Sequence, residues 1–177
     1  MTLFASALIG GCAGLTVTSD GVAVSRQHGL RFQLSPGWER VDDTRGSADF
    51  LLSFSEIDES LLAMSRLPKT ALGWDPSDYA IDALASLALG ERFLALIASD
   101  MELPIFSVLD HEASPLAGRP AVRLRIGYQS TDAEHYTVSY VLVPRTSDVL
   151  VIQCQTVNRA HERAADCANM VASVVWL

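Results

Sequence analysis

Residues 135–157, HYTVSYVLVPRTSDVLVIQCQTV, decide the fold of this chain. They consist of two extended apolar runs, 135–144 and 149–157, on either side of a short polar turn. This pattern predicts an antiparallel pair of strands. Within the runs, 141–143 and 149–152 are apolar without alternation, which is typical of strands covered on both faces. The sequence therefore predicts the centre of a sheet that has a layer on each side.

The chain before this pair contains further strand signals. Two extended runs, 103–111 and 119–129, precede it with short turns between them, so the four strands are predicted to form an antiparallel meander. Arg123 and Arg125 share one face of the second run, which makes that face the wetter one. Shorter strands are predicted nearer the N-terminus, at 21–25, 30–34, 38–41, 48–55 and 61–67.

Two helices complete the predicted fold. The first spans 76–99, follows the capping residue Asp75 and has a proline at its first position. Gly90 is expected to bend or divide it, because glycine weakens a helix interior. The second is capped by Asn158, reaches about residue 174 and repeats its apolar residues at helical spacing. The sequence thus predicts an α+β fold, namely an α/β/α sandwich with a central antiparallel sheet, one long middle helix and a C-terminal helix.

Cys154 and Cys167 occupy facing positions in this arrangement. Cys154 shares a strand face with Leu150 and Ile152, and Cys167 lies with Val171 on the apolar face of the final helix. The two thiols are predicted to meet where the last strand packs against the last helix, as a disulfide that closes about 14 residues. Two buried free thiols remain the alternative, because cysteine is a common core residue.

The N-terminus carries a signal of a different kind. Ile9-Gly10-Gly11-Cys12 follows an uncharged apolar segment and resembles the lipobox of bacterial lipoproteins. The resemblance implies that residues 1–11 are a signal peptide and that Cys12 is acylated, with palmitate among its acyl groups. Residues 12–28 are then a tether, and 29–177 form a single domain. The protein is expected in the cell membrane or outer membrane, anchored by lipid and facing the periplasm or the exterior.

The N-terminal segment departs from the lipobox pattern in one respect. No Lys or Arg precedes the apolar stretch, and Leu3 to Ile9 is short for the apolar core of a signal peptide. The segment is also too short to span a bilayer, which takes about 20 apolar residues. The alternative is a cytosolic protein whose N-terminus forms a buried strand.

The order of elements resembles the PsbP-like superfamily. The stretch 29–38, which ends in Pro-Gly-Trp, is similar to the opening strand of that fold, and 116–121 is similar to the turn into its long antiparallel strands. The closing strand and helix, ending at 173–175, are also similar. The superfamily includes the extrinsic photosystem protein, a Ran-binding nuclear import factor, and bacterial lipoproteins of the DcrB and LpqN kinds. The resemblance implies a sandwich fold in proteins that mostly bind partners and do not catalyse.

Composition narrows the function further. Of the 177 residues, 49% are hydrophobic and 19% are charged, so a sizeable core is expected. The net charge of -8 argues against binding nucleic acid through its phosphates. No nucleophile elbow, zinc-protease motif, phosphate loop or dinucleotide fingerprint is present. The sequence therefore predicts neither an enzyme nor a cofactor.

The histidines are not expected to form a site. His111 and His135 are interpreted as solvated strand ends, and His28 as part of a polar linker. His161 is six residues from Cys167, which on a helix rotates the two side chains about 240° apart. A metal site between them is therefore not predicted.

Two features are candidates for a contact surface. The acidic stretch 42–59 is interpreted either as a docking surface for a basic partner or as the solvated rim of an acidic protein. Its acids do not have the spacing of a calcium loop. Trp74 is either an exposed contact residue or a packing residue. The candidate contact residues are Trp74, Asp42, Asp43, Glu56, Asp58 and Glu59.

Three functional hypotheses follow from the sequence. The first is a non-enzymatic, lipid-anchored envelope protein that supports assembly or maintenance through contacts with another envelope protein. The second is a binder of a small apolar or amphipathic ligand held between the sheet and the apolar helix around residues 80–97. The third is an unrecognised hydrolase, which would need carboxylates and histidines to converge in one cleft.

Overall fold

The computed structural model describes residues 15–41, 49–54, 60–74, 87–100, 106–130, 133–157 and 161–177. The strands in these ranges are β1 (Leu15–Val17), β2 (Val22–Ser25), β3 (Leu30–Gln33), β4 (Glu39–Val41), β5 (Phe50–Ser53), β6 (Leu61–Pro68), β7 (Phe106–Ala113), β8 (Val122–Gln129), β9 (His135–Pro144), β10 (Asp148–Val157) and β11 (Val175–Trp176). The helices are α1 (Leu87–Asp100), α2 (His161–Ala172) and a short 3-10 helix at Lys69–Leu72.

The strands form two antiparallel sheets. The large sheet has the order β4-β5-β6-β10-β9-β8-β7, and the small sheet has the order β1-β2-β3-β11. The predicted meander is confirmed, because β7, β8, β9 and β10 are neighbours in chain order. β10 lies at the centre of the large sheet, and all its residues after Asp148 are buried.

Helices and the small sheet cover the large sheet on both sides. α1 contacts β7 and β8 on one side, while α2 contacts β10 and also β3 of the small sheet on the other. We call these two sides of the large sheet the α1 face and the α2 face. The arrangement confirms the predicted α+β fold, with layers on both sides of a central antiparallel sheet.

The α1 face is packed with aromatic and aliphatic side chains. Along β8, every second residue is buried, starting at Val122, because a strand directs alternate side chains to one face. Phe93 of α1 packs edge-on against Tyr140 with ring centroids 5.0 Å apart, and Tyr128 stacks on Tyr136 at 5.1 Å. Buried apolar area of this kind is the main stabilising contribution to a fold.

The α2 face is packed mainly over the half of the sheet around β6 and β10. Phe32 of the small sheet and Met170 of α2 belong to the same buried cluster as Ile152 of β10. Trp38 packs edge-on against Phe54 at 6.2 Å. Gly37 has a positive φ of 82°, and a Cβ there would lie 2.7 Å from the Phe54 ring. Glycine therefore permits both the turn before Trp38 and its close approach to Phe54.

The predicted tether needs correction. The range 12–28 contains β1 and β2, which pair with each other, and β2 also pairs with β3. Leu15 and Ala23 are buried in the core of the α2 face. The packed part of the chain therefore begins no later than Leu15. The predicted strand 21–25 is confirmed as β2. Composition concealed β1, because it is three residues long and lies next to serine, threonine and glycine.

Other boundaries differ less. The first part of the predicted helix 76–99, with its cap Asp75, lies outside the described residues, and α1 runs without a break through Gly90. The predicted cap Asn158 also lies outside them, and the described helix begins at His161. β11 was not predicted, because two residues after a helix carry too short a pattern to read.

Candidate functional site

An open cleft of about 280 Å³ lies on the α2 face, between α2 and the strands β7 to β10. One wall is α2, which contributes the small residues Ala164 and Ala168 together with Val171. The other wall is the sheet surface. It is polar over β7 and β8, where α1 covers the opposite face and α2 does not extend.

The sheet wall of the cleft contains three rows of residues paired across neighbouring strands. Two rows carry charged side chains, and the third contributes the hydroxyls of Thr137 and Thr156. In the first row, Asp110 of β7 is opposite Arg125 of β8, which is opposite Ser139 of β9, which is opposite Cys154 of β10. The second row contains, in the same order, Glu112, Arg123, Val141 and Ile152. From the sheet edge inwards, the chemistry therefore changes from acidic to basic, then to hydroxyl or apolar, and ends at apolar residues and a disulfide.

The charged groups of the cleft are not paired with one another. Among the described residues, neither Arg123 nor Arg125 forms an ion pair with the acid opposite to it. Nε of Arg123 is buried and has no hydrogen-bond partner in this part of the chain. A buried donor without a partner is costly, so the guanidinium of Arg123 is a group that a ligand would satisfy.

The sulfur atoms of Cys154 and Cys167 are bonded to each other, with their Cα atoms 6.2 Å apart. The predicted pair is the one observed. The bond joins β10 to α2 at the inner end of the cleft, where both cysteines line its surface. It therefore fixes the distance between the two walls.

A second polar cluster lies at the junction between the two sheets, and the sequence reasoning missed it. Nδ1 of His28 lies 2.7 Å from Oγ of Ser25, and Nε2 of His28 lies 2.9 Å from Oδ2 of Asp49. Gln27 donates to Oδ1 of Asp49 at 2.8 Å, and Nε of Arg66 donates to its Oδ2 at 3.2 Å. The prediction that His28 lies in a polar linker is wrong, because the turn between β2 and β3 folds it inwards.

The second cluster contains the residue types of a hydrolytic triad, but its side chains are buried, as is typical of a structural hydrogen-bond network. Ser25 is 0% exposed and His28 is 3% exposed, so no substrate reaches the hydroxyl in this conformation. Burial raises the pKa of the Asp49 carboxyl, but hydrogen bonds from His28 and Arg66 outweigh it and hold the pKa below its usual range. Asp49 thus joins the small sheet to Arg66 of β6 as an ionised carboxylate.

On the α1 face, the position of His111 differs from the solvated strand end that was predicted. Asp110 and Glu112 point into the cleft, and His111 between them points towards α1, as alternation along a strand requires. Its ring lies against Gly90, and its Nε2 is buried without a hydrogen-bond partner among the described residues. His111 is therefore a packing residue under the helix, not a solvated strand end.

Trp74 is not an exposed contact residue. It is 9% exposed and belongs to the core of the α1 face. The guanidinium of Arg92 lies 5.2 Å from its ring centroid and donates to the carbonyl oxygens of Leu72 and Gly73 at 3.0 and 2.9 Å. Of the two alternatives for Trp74, the structure agrees with the packing residue, because the 3-10 helix before it turns the ring under α1.

The remaining predicted site residues lie outside the described part of the chain. They are Cys12, Asp42, Asp43, Glu56, Asp58 and Glu59. Among the residues that are described, no helix has the length and apolarity needed to cross a membrane. The same residues contain no group of three or more histidine, cysteine and carboxylate side chains arranged to hold a metal ion.

Comparison with known proteins finds likeness in structure only. No protein-family model matches the chain, and no curated protein sequence matches it. LpqN of Mycobacterium tuberculosis, described as involved in cell envelope biogenesis, is 16% identical with a TM-score of 0.53, over 82% of each chain. Cyanobacterial PsbP from a Synechocystis species is 17% identical with a TM-score of 0.62, over 96% of this chain and 99% of that one.

A third similar structure is larger than this chain. It comes from Bacteroides thetaiotaomicron, is 11% identical with a TM-score of 0.56, and is matched over 90% of this chain but only 49% of its own length. Sequence identities this low concern the fold alone. Lipid attachment at Cys12 and the likeness to the Ran-binding import factor stay predictions. The comparisons show that the chain has a PsbP-like fold.

Proposed function

We propose that this chain is a non-enzymatic, lipid-anchored protein of the bacterial cell envelope that acts by binding another envelope protein. The observation that carries this proposal is the cleft on the α2 face, where Arg123 and Arg125 lie opposite two acids without pairing. A rigid sheet that presents unpaired charges of both signs offers orientation and specificity to a partner.

Three observations support the proposed location in the bacterial cell envelope. The disulfide between Cys154 and Cys167 is of a kind that persists in oxidising surroundings such as the periplasm. Cys12 follows an apolar segment that resembles a lipobox. LpqN, which shares the fold at 16% identity, is described as involved in cell envelope biogenesis.

The Ser25–His28–Asp49 cluster supports binding rather than catalysis. A nucleophile must be reached by its substrate, and Ser25 is 0% exposed. The cluster joins two sheets through hydrogen bonds that all end within the fold. We assign it a structural role.

Labelling with a fatty-acid probe tests the anchor. We expect the wild-type chain expressed in bacteria to incorporate the label and to sediment with membranes, and Cys12→Ala to do neither. Cys154→Ala with Cys167→Ala is the matched control, because it removes the two disulfide-bonded cysteines and keeps the proposed lipidation site. Absence of label from the wild type would contradict the proposed anchor.

Capture from detergent-solubilised envelopes tests the partner. We expect the oxidised full chain to retain a protein that Arg125→Gln loses and that Arg31→Gln keeps. Arg31 is the matched control because it is an exposed arginine on a strand of the small sheet, away from the cleft. Retention of the same proteins by all three chains would contradict binding through the cleft.

A second candidate function is binding of a small amphipathic ligand, favoured by the volume of the same cleft. At about 280 Å³, it is near the lower limit of ligand pockets. The structure moves this hypothesis away from the helix that suggested it, because Leu89, Phe93 and Ile97 of α1 pack directly into the core. Native mass spectrometry of the purified chain tests it. A bound small molecule that is lost in Arg125→Gln supports it, and an empty chain contradicts it.

A further inference from the structure

The cleft has an order of chemical groups that a lipid head group also has. Reading outwards from α2, the first row contains the disulfide at Cys154, the hydroxyl of Ser139, the guanidinium of Arg125 and the carboxylate of Asp110. The second row contains Ile152, Val141, Arg123 and Glu112. Both rows therefore end in a basic residue followed by an acidic one, and they begin with apolar residues in the second row and with a disulfide and a hydroxyl in the first.

We propose that this cleft binds a phospholipid of the phosphoethanolamine or phosphocholine class by its head group. The phosphate lies against Arg123 and Arg125, and the ammonium group lies against Asp110 and Glu112. The start of the apolar chain lies against Ala164, Ala168 and Val171 of α2, which line the cleft. This inference rests on the second candidate function and identifies the class of ligand.

The spacing of the strands fits this assignment. Neighbouring strands are about 4.8 Å apart, so the backbone positions of the arginines on β8 and of the acids on β7 are separated by about one strand spacing. In these lipids an O–C–C–N link joins the phosphate to the ammonium group, and its length is about one strand spacing as well. Hydrogen bonds from guanidinium to phosphate are among the stronger ones in proteins.

The balance of charge favours a zwitterion over a simple anion. The cleft contributes two arginines and two acids from its rows, and the whole chain has a net charge of -8. An anion would meet the arginines but would be repelled by the acids beside them and by the rest of the chain. A zwitterion pairs with the arginines of β8 and with the acids of β7, and it adds no net charge.

The volume of the cleft limits how much of the lipid is held. A space of about 280 Å³ accommodates a head group and the first methylenes, not two whole acyl chains. In this orientation the ammonium group lies at the edge strand β7, which pairs only with β8 among the described strands. The rest of the lipid chain would have to leave the cleft on the side of α2.

Two amphiphiles with the same eight-carbon tail and opposite head-group order test the proposal. Octylphosphocholine has the order tail, phosphate, ammonium, and octyl sulfobetaine has the order tail, ammonium, sulfonate. Both are zwitterions without net charge. We expect the oxidised full chain with Cys12→Ala to bind octylphosphocholine at least about tenfold more tightly, because only this order places each charge beside its partner. The measurement is calorimetric titration below the micelle concentration.

Variants then assign the binding to the cleft. Arg125→Gln is expected to weaken octylphosphocholine binding about tenfold, since it removes a charge-assisted hydrogen bond from an exposed residue. Arg31→Gln, on an exposed position of β3, is the matched control and is expected to leave binding unchanged. Circular dichroism of each variant verifies that the fold is retained.

Exchanging the charges of one cross-strand pair provides a test that measures a reversed preference and does not depend on a loss of binding. Asp110→Arg combined with Arg125→Asp keeps the net charge and the cross-strand pair but reverses the order of charges in that row. We expect the preference to shift at least tenfold towards octyl sulfobetaine. Equal affinity of the Cys12→Ala chain for both amphiphiles, no binding of either, or an unchanged preference after the exchange would overturn the proposal. None of these results decides whether the purified chain carries some other small molecule that Arg125→Gln loses, which is the test of the second candidate function, so the failure of the lipid proposal is distinguishable from the failure of that function.

Discussion

The two faces of the large sheet differ in how they are covered. On the α1 face, α1 lies over β7 and β8 and fills the space above them with Leu89, Phe93 and Ile97. On the α2 face, α2 lies over β10 and leaves the charged residues of β7 and β8 open. β8 therefore buries every second residue on the α1 side and presents Arg123 and Arg125 on the proposed binding surface, whereas no residue of β7 is fully buried.

This difference shows how one strand can serve stability and function at once. β8 alternates buried Val122, Leu124 and Ile126 with the arginines of the cleft. The apolar residues hold the strand in place, and this positions Arg123 and Arg125 without any support from the cleft itself. Changes on the two faces should accordingly have separable effects on stability and on binding.

The largest expected loss of stability comes from the α1 face. Phe93→Ala should lower the free energy of unfolding by about 3–5 kcal/mol, because it leaves a cavity beside Tyr140. Leu87→Ala, on the same helix but 48% exposed, should change it by less than about 0.5 kcal/mol. Chemical denaturation measures both. Equal effects would contradict the packing described for this face.

Removal of the disulfide is expected to have the next largest effect. Cys154→Ala with Cys167→Ala should cost about 3 kcal/mol, since a cross-link over 13 residues is lost. For a chain of this size the Tm would fall by about 6–12 °C. Calorimetry of the oxidised wild type and the variant measures it. A reductant should lower the Tm of the wild type alone, and an equal effect on both chains would contradict the bond.

Asp49 links the small sheet to the large one, and its replacement should lower the free energy of unfolding by an intermediate amount. Asp49→Asn should cost about 2 kcal/mol near neutral pH, because it weakens bonds to His28 and Arg66. The pKa of Asp49 is lowered in the folded chain, so the carboxylate stabilises the fold above its unfolded pKa of about 3.9 and ceases to do so as the pH falls through the folded pKa.

The difference between wild type and Asp49→Asn should therefore be constant from about pH 5 to 7 and shrink below about pH 4. Urea denaturation across this range measures it. Asp148→Asn is the control, because Asp148 forms its ion pair with Arg145 within one turn and should contribute less than about 1 kcal/mol. A difference that grows as the pH falls would contradict the assigned role.

Gly90→Ala tests how closely α1 approaches β7, with a smaller effect. A Cβ at Gly90 would overlap the ring of His111, so we expect the variant to be less stable by about 1 kcal/mol. In a His111→Ala background the same change should stabilise by about 1 kcal/mol, since alanine favours the helix. Thermal denaturation of the four chains gives the comparison. The same sign in both backgrounds would contradict this contact.

The smallest effect on stability is expected in the cleft. Arg125→Gln should change the free energy of unfolding by less than about 0.5 kcal/mol, because Arg125 is exposed and forms no ion pair among the described residues. The same variant is expected to lose binding. A large loss of stability would show that the cleft is part of the core.

The central strands were predictable because their signal is local. The apolar runs of β9 and β10 determine burial on both faces, and the alternation along β8 places Arg123 and Arg125 on one side. The facing positions of Cys154 and Cys167 followed from the same reasoning. Each of these depends only on the period of a strand or a helix.

Residues whose surroundings depend on distant contacts were not predictable. His28 is buried by Asp49, which is 21 residues away in sequence, and Trp74 is covered by Arg92 of α1. The cleft was not visible either, because it depends on how far α2 reaches across the sheet. Sequence periodicity assigns a side chain to a face, but it does not tell which part of that face is covered.

The most direct test of the difference between the two faces is an NMR titration of the isotope-labelled full chain, carrying Cys12→Ala, with octylphosphocholine. We expect saturable shifts of backbone amides at Asp110, Arg125 and Ser139, which line the cleft. We expect none at Phe93 or Ile97 of α1, which pack against the opposite face of the sheet. Shifts confined to the α1 face, or no saturable shifts on either face, would contradict the proposal that this protein binds its ligand on the α2 face.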